Sequence, residues 1–366
     1  MKRGNLCRII ASAAVFAVIV NLFPIIPSAA DGLKVGDYVQ FGRYSDEPII
    51  WRCVSDDENG MLMITDEIIS IKAFDAKGTV TDGSHGKGYY GGMYRQAYGS
   101  NYWGDSNIRT WLRSNKTERR VEYICGNPPS TVDNKKYAYE EEAGFAANFT
   151  TTEMKAVRTV CLKSILDAYE ETPLTSNKNY HIYNDEIEEI LTNYNSAYSE
   201  ELEETFFLPD VKQIYDIYSN GGILGEDYYI GRLSKSAAGK ISGKNEGDFY
   251  HSWLRSPRAL KLNGYSYHVR YITLKGKATD KMAYESIGIR PAFYIDWSKV
   301  SLSGGSGSKD NPYITVMGED DSPIKNPPPD PTEAPTPEPM ESTGPDKTAG
   351  PSESTGPDKT AGPSES

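Results

Sequence analysis

The chain is poor in the residues from which reaction centres are built. Its four histidines, His85, His181, His251 and His268, are far apart, and none forms an H-E-x-x-H pair, which argues against a zinc hydrolase of that kind. No G-x-S-x-G elbow occurs, so the nucleophile turn of an α/β-hydrolase is missing. The glycine-rich stretch Gly83 to Gly92 lacks the G-K-[ST] ending of a phosphate loop, and no D-x-[DN]-x-[DN]-G calcium loop appears. A glycosidase needs two carboxylates flanking a cleft; among 51 acidic residues no pattern singles out such a pair. Cysteine is equally scarce. Of four, Cys7 precedes an apolar run and is no lipobox cysteine, which leaves Cys53, Cys125 and Cys161. Three is an odd number, so at most one bridge forms within a chain, and the spacings match no zinc motif. Buried cysteines acting as small hydrophobes are the expectation. Neither a cofactor nor a metal is implied, and the reading is non-enzymatic.

Long apolar runs are missing beyond the N-terminus. Lys2, Arg3 and Arg8 precede an apolar run from Ile9 to Phe23, followed by Pro24, Pro27 and Ser28-Ala29-Ala30. A basic start, an apolar middle and small residues at the end make a secretory signal over residues 1–30, cleaved after Ala30. Ser12 and Asn21 interrupt the run, which falls short of a spanning helix; no transmembrane span is expected in the mature chain. Removing the three N-terminal cations leaves 36 basic against 51 acidic residues, a formal charge of −15. That argues against nucleic acid and anionic lipid as partners. The chain reads as secreted, with a cell-surface role open. Beyond Tyr313 there is no aromatic residue, and 12 of the 22 prolines lie from Pro323 on. Residues 317–366 therefore read as a disordered Pro/Ser/Thr/Glu tail, with a 12-residue repeat from Ser342 recurring from Ser354.

Between signal and tail, residues 31–316 read as one domain. Val35 to Gly42, Ile49 to Val54 and Met61 to Thr65 are short apolar runs separated by turn residues, the pattern of a strand meander. Residues 75 to 100 are rich in Gly and Tyr and read as a long loop. Asp105 or Ser106 can cap a helix whose apolar face is Ile108, Trp111 and Leu112. Thr150 to Glu153 is a capping region, and Met154, Val157, Val160, Cys161 and Ile165 predict the stripe of a following helix. Residues 168–204 are an acidic insertion that reads as solvated helices, including Glu200 to Glu204. Phe206 to Pro209 reads as a short buried strand. Asp210 caps a helix through Val211, Ile214 and Tyr215. Tyr228 to Ile230 reads as one more strand, and residues 234 to 248 as a polar loop.

The stretch that organises the chain runs from Trp253-Leu254-Arg255-Ser256-Pro257 to Gly288-Ile289-Arg290-Pro291-Ala292-Phe293. An arginine inside an apolar strand is costly unless paired, so Arg255 and Arg290 predict buried carboxylate or carbonyl partners. With Trp253 and Trp111 they read as structural ties; the competing reading is that one arginine grips an anionic ligand. Each proline removes a ladder donor, so each strand ends there or lies at an edge.

The ordered motifs resemble a known group. They are Gly36 to Gly42, Ile50-Trp51-Arg52, Tyr102 to Leu112, Phe206 to Pro209, the two arginine strands, and Ser306 to Ile314. Over residues 33 to 316 this is similar to an uncharacterised domain family of secreted clostridial and other Gram-positive proteins. That family in turn resembles the C-type-lectin-like fold of sulfatase-modifying (formylglycine-generating) enzymes. The resemblance implies an α+β fold with antiparallel sheets, a few helices and long loops. It does not carry the oxidase activity: those enzymes hold copper with late cysteines, and none follows Cys161 here. The iron-site pattern H-x-x-x-H-x-E of related sulfoxide synthases is absent too. In binding members of the fold, ligands meet the late strands and loops, which maps onto Leu260 to Tyr284. There Tyr265, Tyr267, Val269 and Tyr271 line one face of a strand, with Ser266, His268 and Arg270 on the other. Tyr265, Tyr267, His268 and Arg270, with Trp103, are the candidate ligand-binding residues. The expected ligand is a glycan, cell wall or protein.

Overall fold

In the computed structural model the placement of one arginine-proline pair decides where the chain changes sheets. The structure describes residues 32–77, 97–124, 126–130, 136–166, 185–192, 199–258 and 267–316. Strands β1 (Tyr38–Tyr44), β2 (Glu47–Asp57) and β3 (Gly60–Thr65) form the antiparallel meander expected from their alternation. After β3 the chain leaves that sheet, and β4 (Ser70–Ala73) pairs in a second one. The return comes late. Strand β10 (Ser286–Ile289) pairs with β4, whereas β11 (Ala292–Ile295) pairs with β3. Arg290-Pro291 is the break between them. Proline has no N–H for the ladder, and the Arg290 guanidinium ties the two crossings together. Its Nε donates to Thr65 O (3.2 Å) and its other nitrogens to Tyr228 O (3.0 Å) and Asp66 O (3.5 Å).

The remaining strands are β5 (Val160–Ile165), β6 (Ser199–Glu204), β7 (Ser252–Pro257), β8 (His268–Ile272), β9 (Ala278–Met282), β12 (Leu302–Gly304) and β13 (Tyr313–Thr315). The first sheet has the order β11-β3-β2-β1-β13-β12 and the second β4-β10-β7-β8-β9; β5 and β6 form a separate antiparallel pair. Most pairings are antiparallel, with β1–β13 and β10–β7 parallel. The architecture is α+β: mostly sheet, with five short α-helices among the described residues.

The helices follow their caps. In α1 (Asn107–Arg113) the Ser106 side chain accepts from Arg109 N, and Ile108, Trp111 and Leu112 are fully buried. In α2 (Thr151–Ala156) Thr150 and Glu153 form a reciprocal capping box. The carboxylate of Glu153 also accepts from Gly42 N at 2.8 Å. Gly42 has φ +72°, and a Cβ there would fall 2.3 Å from the Phe149 ring, so only glycine fits. Asp210 and Gln213 make a second capping box for α3 (Val211–Ser219), while α4 (Gly221–Leu224) and α5 (Lys235–Gly239) are brief.

Several local expectations fail where tertiary pairing overrides propensity. The stripe from Met154 to Ile165 is not one helix. Val157 bridges to Ile295, α2 stops, and Val160, Leu162 and Ser164 are buried with period two while Cys161 and Lys163 face out. Cys161 is exposed, not a small core hydrophobe; Cys53 is buried, and burial pushes its thiol up to about 12. Glu200 to Glu204 lie in β6, not in a solvated helix. Phe207 makes a single bridge to Ala292 in place of a strand, Tyr228 to Ile230 form a turn, and α5 occupies part of the expected polar loop.

The first sheet buries an aromatic cluster. Trp51 meets Phe293 edge-on at 4.6 Å, Phe149 stacks on Phe206 at 4.6 Å, and Phe41 stacks on Phe293 at 5.3 Å. The Trp51 indole N–H donates to Phe41 O (2.7 Å), satisfying its one polar atom.

Candidate functional site

Strand β8 does not present a free face. Val269, Arg270, Tyr271 and Ile272 are all buried. Tyr271 packs against Trp253 and His251, and Arg270 stands in register with Asp280 on β9. Arg270, 4% exposed, is thus part of the sheet interior and offers no open surface. Trp103 is also a core residue: it is 1% exposed, and its indole donates to Glu204 Oε1 at 2.8 Å. The same oxygen accepts from Arg109 Nε at 2.8 Å. The last carboxylate of the acidic run is therefore a buried anchor for α1. Tyr265 lies outside the described residues. Arg255 is a tie, bonded to Asp210 Oδ2 (2.8 Å), Gln213 Oε1 (2.6 Å) and Leu208 O (2.8 Å).

Tyr267 and His268 remain at the surface end of β8, both half-buried. The His268 ring contacts the Asp280 carboxylate through Nδ1, and Arg258 reaches the same oxygen at 3.3 Å. Tyr267 lies against His268 and against Tyr98, each at 4.5 Å between ring centroids. Tyr98 in turn stacks towards Tyr284 at 6.3 Å with an interplanar angle of 24°. Three half-buried tyrosines from three parts of the chain thus stand in a row.

The row runs into a cleft of about 530 Å³ lined by Ala76, Lys77, Asn127, Pro128, Pro129, Tyr137, Tyr284, Glu285 and Ser286. Its far wall is the segment around Pro128 and Pro129. That wall is pinned to the second sheet: Tyr139 N donates to Pro129 O (3.2 Å) and Tyr139 OH to Ala73 O (2.9 Å). The buried ammonium of Lys72 pairs with Glu142 at 2.5 Å and sits over the rings of Trp111 (4.4 Å) and Tyr139 (4.6 Å). Across the cleft, Lys77 Nζ lies 4.1 Å from the centre of the Tyr284 ring. This wall has no apolar periodicity in the sequence. The signal it contained was Pro128-Pro129 next to tyrosines that no core pattern absorbed.

A smaller cleft of about 200 Å³ lies at the end of β1 and the start of β2, lined by Tyr44, Glu47, Asp66, Glu67, Ser234, Ser236 and Lys309 among others. Asp66 pairs with Lys309 at 3.0 Å. Burial, then Asp66 and Glu246, raise the Glu67 carboxyl to about 7. Among the described residues no group of three or more His, Cys, Asp or Glu side chains is placed to hold a metal ion, and no helix is long and apolar enough to cross a membrane.

A family model described as a domain of unknown function (DUF6273) matches residues 59–297. No curated protein and no solved structure matches the chain. The matched span takes in β3 to β11, and with them both sheet crossings, the five helices of the described residues and the tyrosine cleft. It covers more than half of the sequence, and the chain belongs to this DUF6273 family.

Proposed function

We propose that the domain is a secreted or cell-surface, non-catalytic binding module that takes a saccharide, free glycan or cell wall, at the tyrosine-lined cleft. One observation carries this reading: Tyr267, Tyr98 and Tyr284 form a half-buried row that ends in a cleft of about 530 Å³ whose lining also includes Tyr137. Tyrosine offers an apolar ring with a polar tip and few rotatable bonds, which suits stacking on the C–H face of a sugar while hydroxyls are bonded at the rim. Asn127 and Ser286 supply polar groups there. The apolar run ahead of Ser28-Ala29-Ala30 supports secretion, and a mature N-terminus at Asp31 in protein recovered from medium tests it. The α+β arrangement of sheets joined by short helices supports the C-type-lectin-like reading. The binding test is a screen of glycans and wall fractions with the full chain, beside Tyr284→Ala and Tyr267→Ala. Retention lost in both variants with an unchanged melting temperature is the expected result. Retention that survives both changes places the ligand elsewhere.

A diverged enzyme is the second reading, and Glu67 favours it. A carboxyl that titrates near neutrality in a cleft beside Asp66 and Lys309 has the properties of a general acid. Turnover of any hydrolysable glycan that Glu67→Gln abolishes would establish it. A panel without turnover at pH 5 to 8 would end it.

A further inference from the structure

Among the described residues, the tyrosine cleft carries unpaired cations although the chain as a whole is acidic. The sequence carries 39 basic and 51 acidic residues, a formal net charge of −12. Among the residues lining the cleft the charged ones are one lysine, Lys77, and one carboxylate, Glu285, and Lys136 adjoins the lining Tyr137. Lys77 and Lys136 are both exposed. Their ammonium groups lie 4.1 Å from the ring centre of Tyr284 and 5.5 Å from that of Tyr137. Neither lysine has a carboxylate partner among the described residues. The carboxylates beside the cleft are already engaged: Glu285 accepts from Lys281 (2.8 Å), and Glu140 accepts from Asn127 Nδ2 (2.7 Å). Lys240, whose carbonyl accepts from Tyr137 OH, directs its own ammonium to Ser70 Oγ at 3.3 Å. Two cations without a carboxylate partner among the described residues thus lie beside two of the tyrosines that line the cleft.

We infer that the ligand of this cleft is an acidic saccharide, its ring stacked on Tyr284 or Tyr137 and its carboxylate or phosphate held by Lys77 and Lys136. The inference rests on the binding reading above and adds the ligand's charge. A ring arriving on Tyr284 displaces the Lys77 ammonium from the aromatic face. An anionic substituent gives the displaced ammonium a partner, and a neutral sugar does not. Because both lysines are exposed, the pairing is screened by salt and sets preference more than total affinity.

The test is an array carrying carboxylated, phosphorylated and neutral saccharides, probed with the full chain, with Lys77→Gln plus Lys136→Gln, and with Tyr284→Ala. The expected binders are acidic. The double lysine variant weakens them about tenfold at low ionic strength, with the gap closing as salt rises. The Tyr284→Ala variant loses them at any salt. The carboxylated and phosphorylated arms separate the two sources of negative charge. Binders that are mainly neutral, or acidic binders that the lysine changes leave untouched, overturn the inference while leaving the cleft as the binding site. An array without any binder overturns both. The lysines bear on no buried contact, so an unchanged melting temperature is expected of the double variant and excludes unfolding as the cause of any loss.

Discussion

The two large sheets differ in what dominates their buried side chains. Against the six-stranded sheet lie Phe41, Trp51, Phe145, Phe149, Phe206 and Phe293, a dry aromatic cluster with ring centroids 4.6 to 6.4 Å apart. In the five-stranded sheet, β4, β7 and β8 each bury a cation: Lys72, Arg255 and Arg270 are 1%, 3% and 4% exposed. The aromatic cluster needs volume and shape, which many residues supply together. The cationic sheet needs particular partners. Lys72 depends on Glu142 and Arg255 on Asp210, carboxylates 70 and 45 residues away in sequence. The first sheet leans on bulk and the second on pairing, and the tyrosine cleft lies at the margin of the second.

Substitutions that remove one kind of support at a time break this comparison. The largest effect is expected in the aromatic cluster. Phe293 stacks on Phe41 and meets Trp51 and Phe206, so Phe293→Ala leaves a cavity that costs about 3–5 kcal/mol. Urea unfolding should show this loss to be independent of pH and salt; a loss below about 1 kcal/mol would mean the cluster collapses around the gap. Next comes Arg255→Met. It keeps the apolar bulk but leaves Asp210, whose side chain is 8% exposed, as an unpaired buried carboxylate, a cost of about 3 kcal/mol. Adding Asp210→Asn removes the charge and keeps the α3 cap, so the double variant should recover part of the loss. No recovery would mean that the guanidinium's carbonyl contacts, not its ion pair, hold β7.

The same contrast explains what the sequence disclosed. The meander β1 to β3, the Ser106 and Thr150 caps and the burial of Trp111, Trp253, Arg255 and Arg290 follow from alternation, capping chemistry and the expense of an unpaired charge. All of these are local. What the sequence did not disclose is non-local. Val160 to Ile165 has a helical stripe and a strand alternation at once, and pairing with Ser199 to Glu204 selects the strand. Glu204 sits in a run of acids that looks solvated, and only the fold brings it to Trp103 and Arg109. The cleft was hidden for the same reason, since Lys77, Tyr284 and the stretch holding Pro128 and Tyr137 are three distant segments.

The smallest effect sharpens the comparison most, because it asks whether a buried cation is tolerated as a charge or as a volume. Lys72 is enclosed by Trp111, Tyr139 and Glu142. Burial lowers its ammonium from 10.5 to about 8, against the opposing pull of Glu142. A base whose folded value lies below its unfolded value binds fewer protons when folded. Between about pH 8 and 10.5 its contribution to stability therefore rises with pH, and below pH 8 its full burden is present. Lys72→Met removes the charge, keeps most of the volume, and leaves Glu142, whose side chain is 31% exposed, free to hydrate. At pH 7.5 the variant should lie within about 1.5 kcal/mol of wild type. Between pH 7.5 and 9.5 the balance should shift in favour of wild type. Neighbouring tyrosines such as Tyr44 and Tyr139, held well above their usual range by burial, pull stability the other way, but they are common to both proteins and cancel in the difference. Urea unfolding of the pair at the two pH values measures it. A difference that does not change with pH would mean that Glu142 and the two rings satisfy the ammonium fully, and that the paired side of the molecule bears no electrostatic cost at this position.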